Sequence, residues 1–363
     1  MYIKKLADIK PDELALAGGK ALNLARMADK RFAVPNGFCV TTDAYREYAS
    51  LCGVEAAAMA PEEIRRRIID GEISTGMQDE VIAAYWGLVG SYGGKIGVAV
   101  RSSAVSEDQA GASFAGQHDT ILNVRAADAL LAALKQRWAG LWSDRAAAYR
   151  RKNSIDPAAA AMAVVVQAMI EPESSGVIFT VNPVNGSRDE LLVNAVWGLG
   201  EGLVSGRISP DEFVVSRKTL AVKKARIANK KTMVVPDETG GREALVPPAR
   251  IKRPVLSDEQ LKKLARISLT IETLFGAAQD IEWAYRAGMF HILQARPVTA
   301  VRKQALPGTV IWGHPANREL ADDGVIFWSN WNTRENMPYP LKPMAWSFLN
   351  DILFPAIFRV LFG

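Results

Sequence analysis

Val98-Ala99-Val100-Arg101-Ser102-Ser103-Ala104 runs directly into a segment, residues 105 to 119, that holds Gly111, Ser113, Gly116, Gln117 and His118 before Thr120. The β-branched and small residues from Val98 to Val100 predict a buried strand. Its end presents a guanidinium and two hydroxyls beside a glycine-rich loop. Backbone N–H groups approach an anion closely only where side chains are small, and a guanidinium offers a planar fork of donors to phosphate oxygens. The segment reads as a phosphate grip if the rest of the chain supplies partners for it.

The 363 residues, with 49% apolar and 23% charged side chains, predict two or three compact units of ordinary globular composition. The stretch from Met1 to Lys10 lacks the apolar core of a secretory signal, and no apolar run reaches the ~18 residues a membrane span needs. Cys39 and Cys52 are the only cysteines, too few for a disulfide framework or a thiolate metal site, which predicts a cytoplasmic protein. The net charge of +5 is uneven, with 19 Lys and Arg against 11 Asp and Glu between Glu201 and Gln304. The pairs Lys223-Lys224 and Lys230-Lys231 lack interleaved aromatics for base stacking, so no nucleic acid is expected. A solvated basic face, or one that accepts an anionic partner or nucleotide, fits better.

Loops, helices and strands alternate without a strict strand-helix-strand rhythm, which predicts an α+β fold. Ala17-Gly18-Gly19-Lys20 opens a helix, and Val34-Pro35-Asn36-Gly37 turns into a strand through Phe38-Cys39-Val40. Residues 61 to 90 read as helical and surface-exposed. Ala126 to Arg151 reads as one helix packing Leu130, Leu134, Trp138 and Leu141 inward. Strands follow at Met162 to Met169, Gly176 to Thr180 and Leu191 to Val196, the last running into the turn Gly198 to Gly202. Ser257 with Asp258, Glu259 and Gln260 forms a capping box for a helix that stops at Gly276. Beyond residue 306 the tail holds Trp312, Trp328, Trp331 and Trp346 and ends in an apolar stretch that needs a surface to cover it.

Common nucleotide signatures are absent. Lys20 and Lys95 follow glycines but precede Ala21 and Ile96, so neither is a Walker-type loop, and Gly198, Gly200 and Gly202 lack dinucleotide spacing. A second candidate site lies near residue 280. Asp280 to Tyr285 and Met289 to Arg296 read as two strands of a hairpin. Pairing Tyr285 with Met289 sets Ile292 opposite Glu282, with Gln294 diagonal to it, so Glu282, Gln294 and Arg296 project together. A carboxylate and an amide oxygen are hard ligands suited to Mg²⁺, and an arginine one step along reaches phosphates bridged by that metal. Each feature alone fits an ordinary strand, turn or solvated face; their joint occurrence points to a nucleotide.

Taken in order, Gly18 to Leu24, Val34 to Phe38, Val100 to Ala104, Ser113 to Gln117, Ser175 to Thr180, Asn182-Pro183, Trp197 to Glu201, Asp280 to Trp283 and Gln294 to Pro297 resemble the nucleotide-binding half of the phosphoenolpyruvate synthase and pyruvate phosphate dikinase family. The resemblance implies an ATP-grasp fold of two lobes closing on ATP and Mg²⁺, within residues 1–305, the first lobe about 1–160 and the second about 161–305. Residues 306–363 would form an aromatic-rich linker or partner-docking tail. By the same resemblance Lys20, Arg101 and Arg296 grip the phosphates, and Glu282 and Gln294 hold the metal. Gly111, Ser113, Gly116 and Gln117 belong to the loop over the triphosphate, and Thr120 is a further nucleotide-binding residue. Gln167, Met169 and Ile170 would lie along the adenine, with Glu171 near the ribose.

In this family ATP gives its β,γ portion to a histidine in a Thr/Ser-x-His-Ala type segment, leaving AMP. His118, His291 and His314 lack that context. The expected partner is therefore a separate subunit or domain that carries the phosphorylatable histidine and the acceptor site. The tail, with Trp328-Ser329-Asn330, Arg334-Glu335-Asn336 and Pro343 to Ser347, looks closest to the rifampicin phosphotransferase and phenylphosphate synthase branches, and the latter has its ATP half and histidine half on separate subunits.

Overall fold

Short apolar runs bounded by turns build two antiparallel sheets, and helices with apolar stripes cover their faces. The computed structural model describes residues 1–104, 120–152, 155–237 and 240–298. Gly111, Ser113, Gly116, Gln117, His118 and the whole of 306–363 lie outside the described residues. Along the chain come β1 (Ile3–Lys5), α1 (Leu14–Asp29), β2 (Gly37–Val40), α2 (Thr42–Leu51), α3 (Pro61–Asp70), α4 (Thr75–Ser91), β3 (Val98–Ala104), β4 (Thr120–Val124), α5 (Ala127–Gly140) and α6 (Asp144–Lys152). They are followed by β5 (Met162–Ala168), β6 (Ser174–Phe179), β7 (Glu190–Trp197), α7 (Glu201–Val204), β8 (Asp211–Ser216), β9 (Val222–Arg226), β10 (Thr232–Asp237), β11 (Gly240–Leu245), α8 (Asp258–Phe275), β12 (Gln279–Arg286) and β13 (Met289–Pro297).

The first sheet has the order β1-β2-β5-β3-β4 and the second β13-β12-β6-β7-β8-β9, with β10-β11 as a separate ribbon. Every ladder is antiparallel, so the class is α+β. Strand β5 pairs with β2 and β3, so the chain leaves the first sheet after Ala168. All seven residues of β3 are buried, because the strand is flanked on both edges and covered on both faces.

One apolar core lies between the first sheet and α2 to α5, and contains Tyr48, Tyr85, Val100, Leu134, Trp138 and Val164. Another joins α1 and α8 to both sheets through Leu24, Met27, Val165, Ile178, Val193, Leu264 and Trp283. The expectation of an exposed helical stretch over 61–90 is corrected: Ile64, Ile68, Met77, Val81 and Tyr85 are fully buried, and the stretch breaks after Asp70 into α3 and α4. The single helix expected over 126–151 also breaks, at residues 141–143, although Leu130, Leu134, Trp138 and Leu141 do face inward. Helix α8 carries the capping box at Ser257 and Gln260, and ends at Gly276 in the left-handed region.

Lys230 is not part of a solvated face. Its ammonium is 1% exposed and lies 2.5 Å from the fully buried Asp211 carboxylate, which also accepts from Ala228 N at 2.9 Å and Val255 N at 2.8 Å. The pair thereby ties two loops to β8. Removing one partner strands a buried charge, which typically costs about 3–5 kcal/mol. Asp211→Ala should lower the urea midpoint by a corresponding amount; a shift within the error of the wild-type midpoint would contradict the pair's anchoring role.

Candidate functional site

The hairpin β12-β13 turns through Ala287 and Gly288, both at positive φ (48° and 81°), as a two-residue type I′ connection requires. This corrects the expected register: Arg286, not Tyr285, pairs with Met289, and Trp283 lies opposite Ile292. A bulge between Glu282 and Trp283 on one side leaves Leu293 as the extra residue on the other. Its effect is to bring Gln294 directly opposite Glu282 and Arg296 directly opposite Asp280. Ile281 and Trp283 fill the core, so Asp280 and Glu282 share the other face of β12.

Arg101 reaches this face from β3. Its Nη2 donates at 2.7 Å to both Glu282 Oε2 and Gln294 Oε1, and its Nη1 donates at 2.9 Å to the carbonyl of the bulged Leu293. The residue is 8% exposed, and its Nε has no hydrogen-bond partner among the described residues. Two hard oxygens from one hairpin thus converge on a single cationic nitrogen. Arg296 stands alongside, with Nε and Nη2 each 2.9 Å from Asp280 Oδ2. Asp280 was not among the residues singled out from the sequence, although its position two before Glu282 placed both on one face. Thr120 on β4 pairs across from Arg101.

Lys20 sits at a break in α1. Gly18 has φ 73° and ψ 169°, a conformation open to glycine and very costly for other residues. The helical path stops there and resumes at Gly19, with Lys20 Nζ 3.4 Å from Ser102 Oγ. The neighbouring Ser103, fully buried, donates from Oγ to Ala17 O at 2.8 Å and accepts from Ala21 N at 3.1 Å.

The remaining predicted contacts follow the connection between the sheets. Gln167 is buried in β5 and its amide donates to Pro35 O at 3.4 Å. Met169 donates its backbone N–H to Gly97 O and joins a small apolar cluster with Val196, Leu199, Ile208 and Val234; Ile170 follows it, half-buried. The Glu171 carboxylate lies 3.4 Å from Arg125 on one side and 3.4 Å from Arg286 on the other, an exposed bridge.

Charge at the site is uneven. Burial works against ionisation of Glu282, but Arg101, then Arg296 and Lys20, outweigh it and hold the carboxyl below the usual range. Burial pushes Asp280 upward against the opposing pull of Arg296. For Glu282, a depressed folded pKa gives stability that is present above the unfolded value near 4.3 and is lost as pH falls through the folded value. Asp280 has the opposite sign. Glu282→Gln should therefore flatten the acid limb of the stability profile below about pH 4.3 relative to wild type. A limb as steep as the wild type's would show that Glu282 is not held ionised.

Among the described residues no three His, Cys, Asp or Glu side chains gather as a metal cage. The donor set is instead one or two carboxylates and an amide oxygen, which suits Mg²⁺ completed by phosphate oxygens. No helix among the described residues is long and apolar enough to cross a membrane.

Residues 14–309 match the pyruvate phosphate dikinase AMP/ATP-binding domain. A probable phosphoenolpyruvate synthase of Methanocaldococcus jannaschii is 39% identical over 320 residues, covering 83% of this chain and 27% of its own. The phosphoenolpyruvate synthase of Pyrococcus furiosus is 35% identical over 362 residues, covering 84% and 44%. The rifampicin phosphotransferase of Bacillus subtilis is 35% identical over 357 residues, covering 94% and 40%. The chain spans less than half the length of these curated relatives.

Proposed function

Because this chain belongs to the pyruvate phosphate dikinase AMP/ATP-binding family, we propose that it binds ATP with Mg²⁺ in an ATP-grasp fold whose two lobes close on the nucleotide. It passes the β-phosphoryl of ATP to a histidine on a partner domain or subunit. The observation that carries this reading is the convergence of Glu282 and Gln294 on the Arg101 guanidinium, with Arg296 beside them. Two acceptors already meet where a cation sits.

Phosphoryl transfer needs little covalent chemistry from the protein; positioning and charge neutralisation suffice. In this reading Arg101, Arg296 and Lys20 bind phosphate oxygens and hold the β-phosphorus open to attack. Glu282 and Gln294 hold Mg²⁺, with Asp280 orienting Arg296. Bound there, Mg²⁺ supplies neutralisation of charge on the phosphate oxygens. The partner's imidazole nitrogen forms a bond to the β-phosphorus, the α–β bridge breaks, and AMP leaves with the bridging oxygen. Water then cleaves the β–γ bridge to release phosphate, and the phosphohistidine serves the final acceptor. The adenine would lie along Gln167, Met169 and Ile170, with Glu171 at the ribose.

We place the acceptor as phenol, so that phenol, ATP and water give phenylphosphate, AMP and phosphate, with the histidine on a second subunit of a hetero-oligomer in the cytoplasm. Unpaired Cys39 and Cys52 accord with that compartment. A second reading makes residues 1–305 the ATP-binding part of an enzyme that phosphorylates rifampicin or forms phosphoenolpyruvate. The names of the relatives favour it.

The test incubates the chain with ATP and Mg²⁺, with and without a separately supplied chain that carries the phosphorylatable histidine, and follows AMP and acid-labile label. AMP formation and label on the partner's histidine are expected only in the mixture. Stable label on this chain alone would contradict the reading, and no AMP under any condition would make it a non-catalytic, ATP-responsive module.

A further inference from the structure

Ser103 belongs to the segment that supplies Arg101, yet phosphate binding assigns it no task. It is fully buried, and its hydroxyl bonds to the helix opposite. That helix is broken at Gly18, and a break in a helix strands backbone groups on both sides of it. Ser103 Oγ takes one from each side, donating to Ala17 O at 2.8 Å before the break and accepting from Ala21 N at 3.1 Å after it. It therefore caps the resumed helix from a different element, as an N-cap residue does from the helix's own first position. The fit is tight: a Cβ on Gly18 would lie 1.9 Å from Ser103 O and 2.5 Å from Ser103 Oγ. Thr42 Oγ1 donates to Ala15 O at 2.8 Å, so the turn before the break is held by side chains as well.

Two residues after Gly18 comes Lys20, whose ammonium lies 3.4 Å from the hydroxyl of Ser102. Arg101 and Ser103 share a face of β3, since strand side chains alternate. The same strand thus fixes the guanidinium on the hairpin and the backbone from which Lys20 projects. We propose that Ser103 is a positioning residue for ATP binding: its bridge across the Gly18 break sets Lys20 at a fixed distance from Arg101, so both cations meet one triphosphate. This inference rests on the ATP-binding reading of the site and adds a residue that touches no substrate.

The test is a double-mutant cycle on ATP affinity, measured by titration in the presence of Mg²⁺, with Ser103→Ala and Lys20→Ala alone and combined. Ser103→Ala should weaken ATP binding about tenfold when Lys20 is present and less than about twofold when Lys20 is already alanine, because a misplaced cation matters only if the cation is there. Its effect on the urea midpoint should be the same in both backgrounds. Equal losses of affinity in both backgrounds, or no loss in either, would overturn the proposal, since a purely structural serine predicts additivity. Should Ser103→Ala not fold, Ser103→Cys in the same cycle decides by the same criteria, because a thiol keeps the volume and weakens both hydrogen bonds. Failure of the underlying reading is distinguishable: wild-type protein would then bind no ATP, or Lys20→Ala alone would leave affinity unchanged.

Discussion

Arg101→Lys should lower AMP formation in the reconstituted system by about 10²–10³-fold while leaving the chain folded. The guanidinium makes three hydrogen bonds through two nitrogens, to Leu293 O, Glu282 Oε2 and Gln294 Oε1. Lysine keeps the positive charge that Glu282 faces, so the carboxylate is not stranded. What it loses is the planar fork, and with it both the three-point grip on the hairpin and, once released toward the nucleotide, the bidentate hold on phosphate oxygens. An alanine would confound this by leaving a buried carboxylate short of its first partner. Thermal unfolding of Arg101→Lys within a few degrees of wild type, together with the loss of AMP formation, is the expected pair of results. Activity within tenfold of wild type would remove Arg101 from the phosphate site.

Gly18→Ala carries the largest expected effect on the fold around the site. The backbone at Gly18 is at φ 73° and ψ 169°, and the added Cβ would meet the Ser103 carbonyl at 1.9 Å. That carbonyl belongs to β3, where Ser103 pairs with Ala163, so it cannot swing aside as a flexible side chain would. Strain and clash together should cost more than about 3 kcal/mol. Because any relief moves Gly19 and Lys20 away from Ser102, ATP affinity should fall in any folded fraction. Gly276→Ala is the matched control: its φ is 70°, but nothing lies within 4 Å of the new Cβ. It should cost about 1 kcal/mol and leave ATP affinity unchanged. Similar urea midpoints for the two variants would contradict the tight fit of Gly18 against β3.

Local signals in the chain were legible, and signals that depend on distant pairing were not. The capping box at Ser257 and the stop at Gly276 depend on adjacent residues, and both occur as expected. The hairpin near residue 280 was recognisable from its two apolar runs, but its register turned on Ala287 taking positive φ and on an extra residue at Leu293. An alanine announces neither. Residues 61–90 read as exposed, yet α3 carries Arg65, Arg66 and Arg67 while one of its faces packs Ile64 and Ile68 into the core. Lys230 looked like half of a solvated pair, since Asp211, its buried partner, is nineteen residues away. The meeting of Arg101 with Glu282, 181 residues apart, is a property of the two sheets coming together and has no local trace.

Binding at the hairpin is decided by a crystal structure with Mn²⁺ and a non-hydrolysable ATP analogue, with the metal located by anomalous scattering. A metal peak should lie about 2–2.3 Å from oxygens of Glu282 and Gln294, with Arg101 released from at least one of them and turned to the phosphates. A metal and triphosphate bound elsewhere, with the bonds from Arg101 to Glu282 and Gln294 both intact, would contradict it.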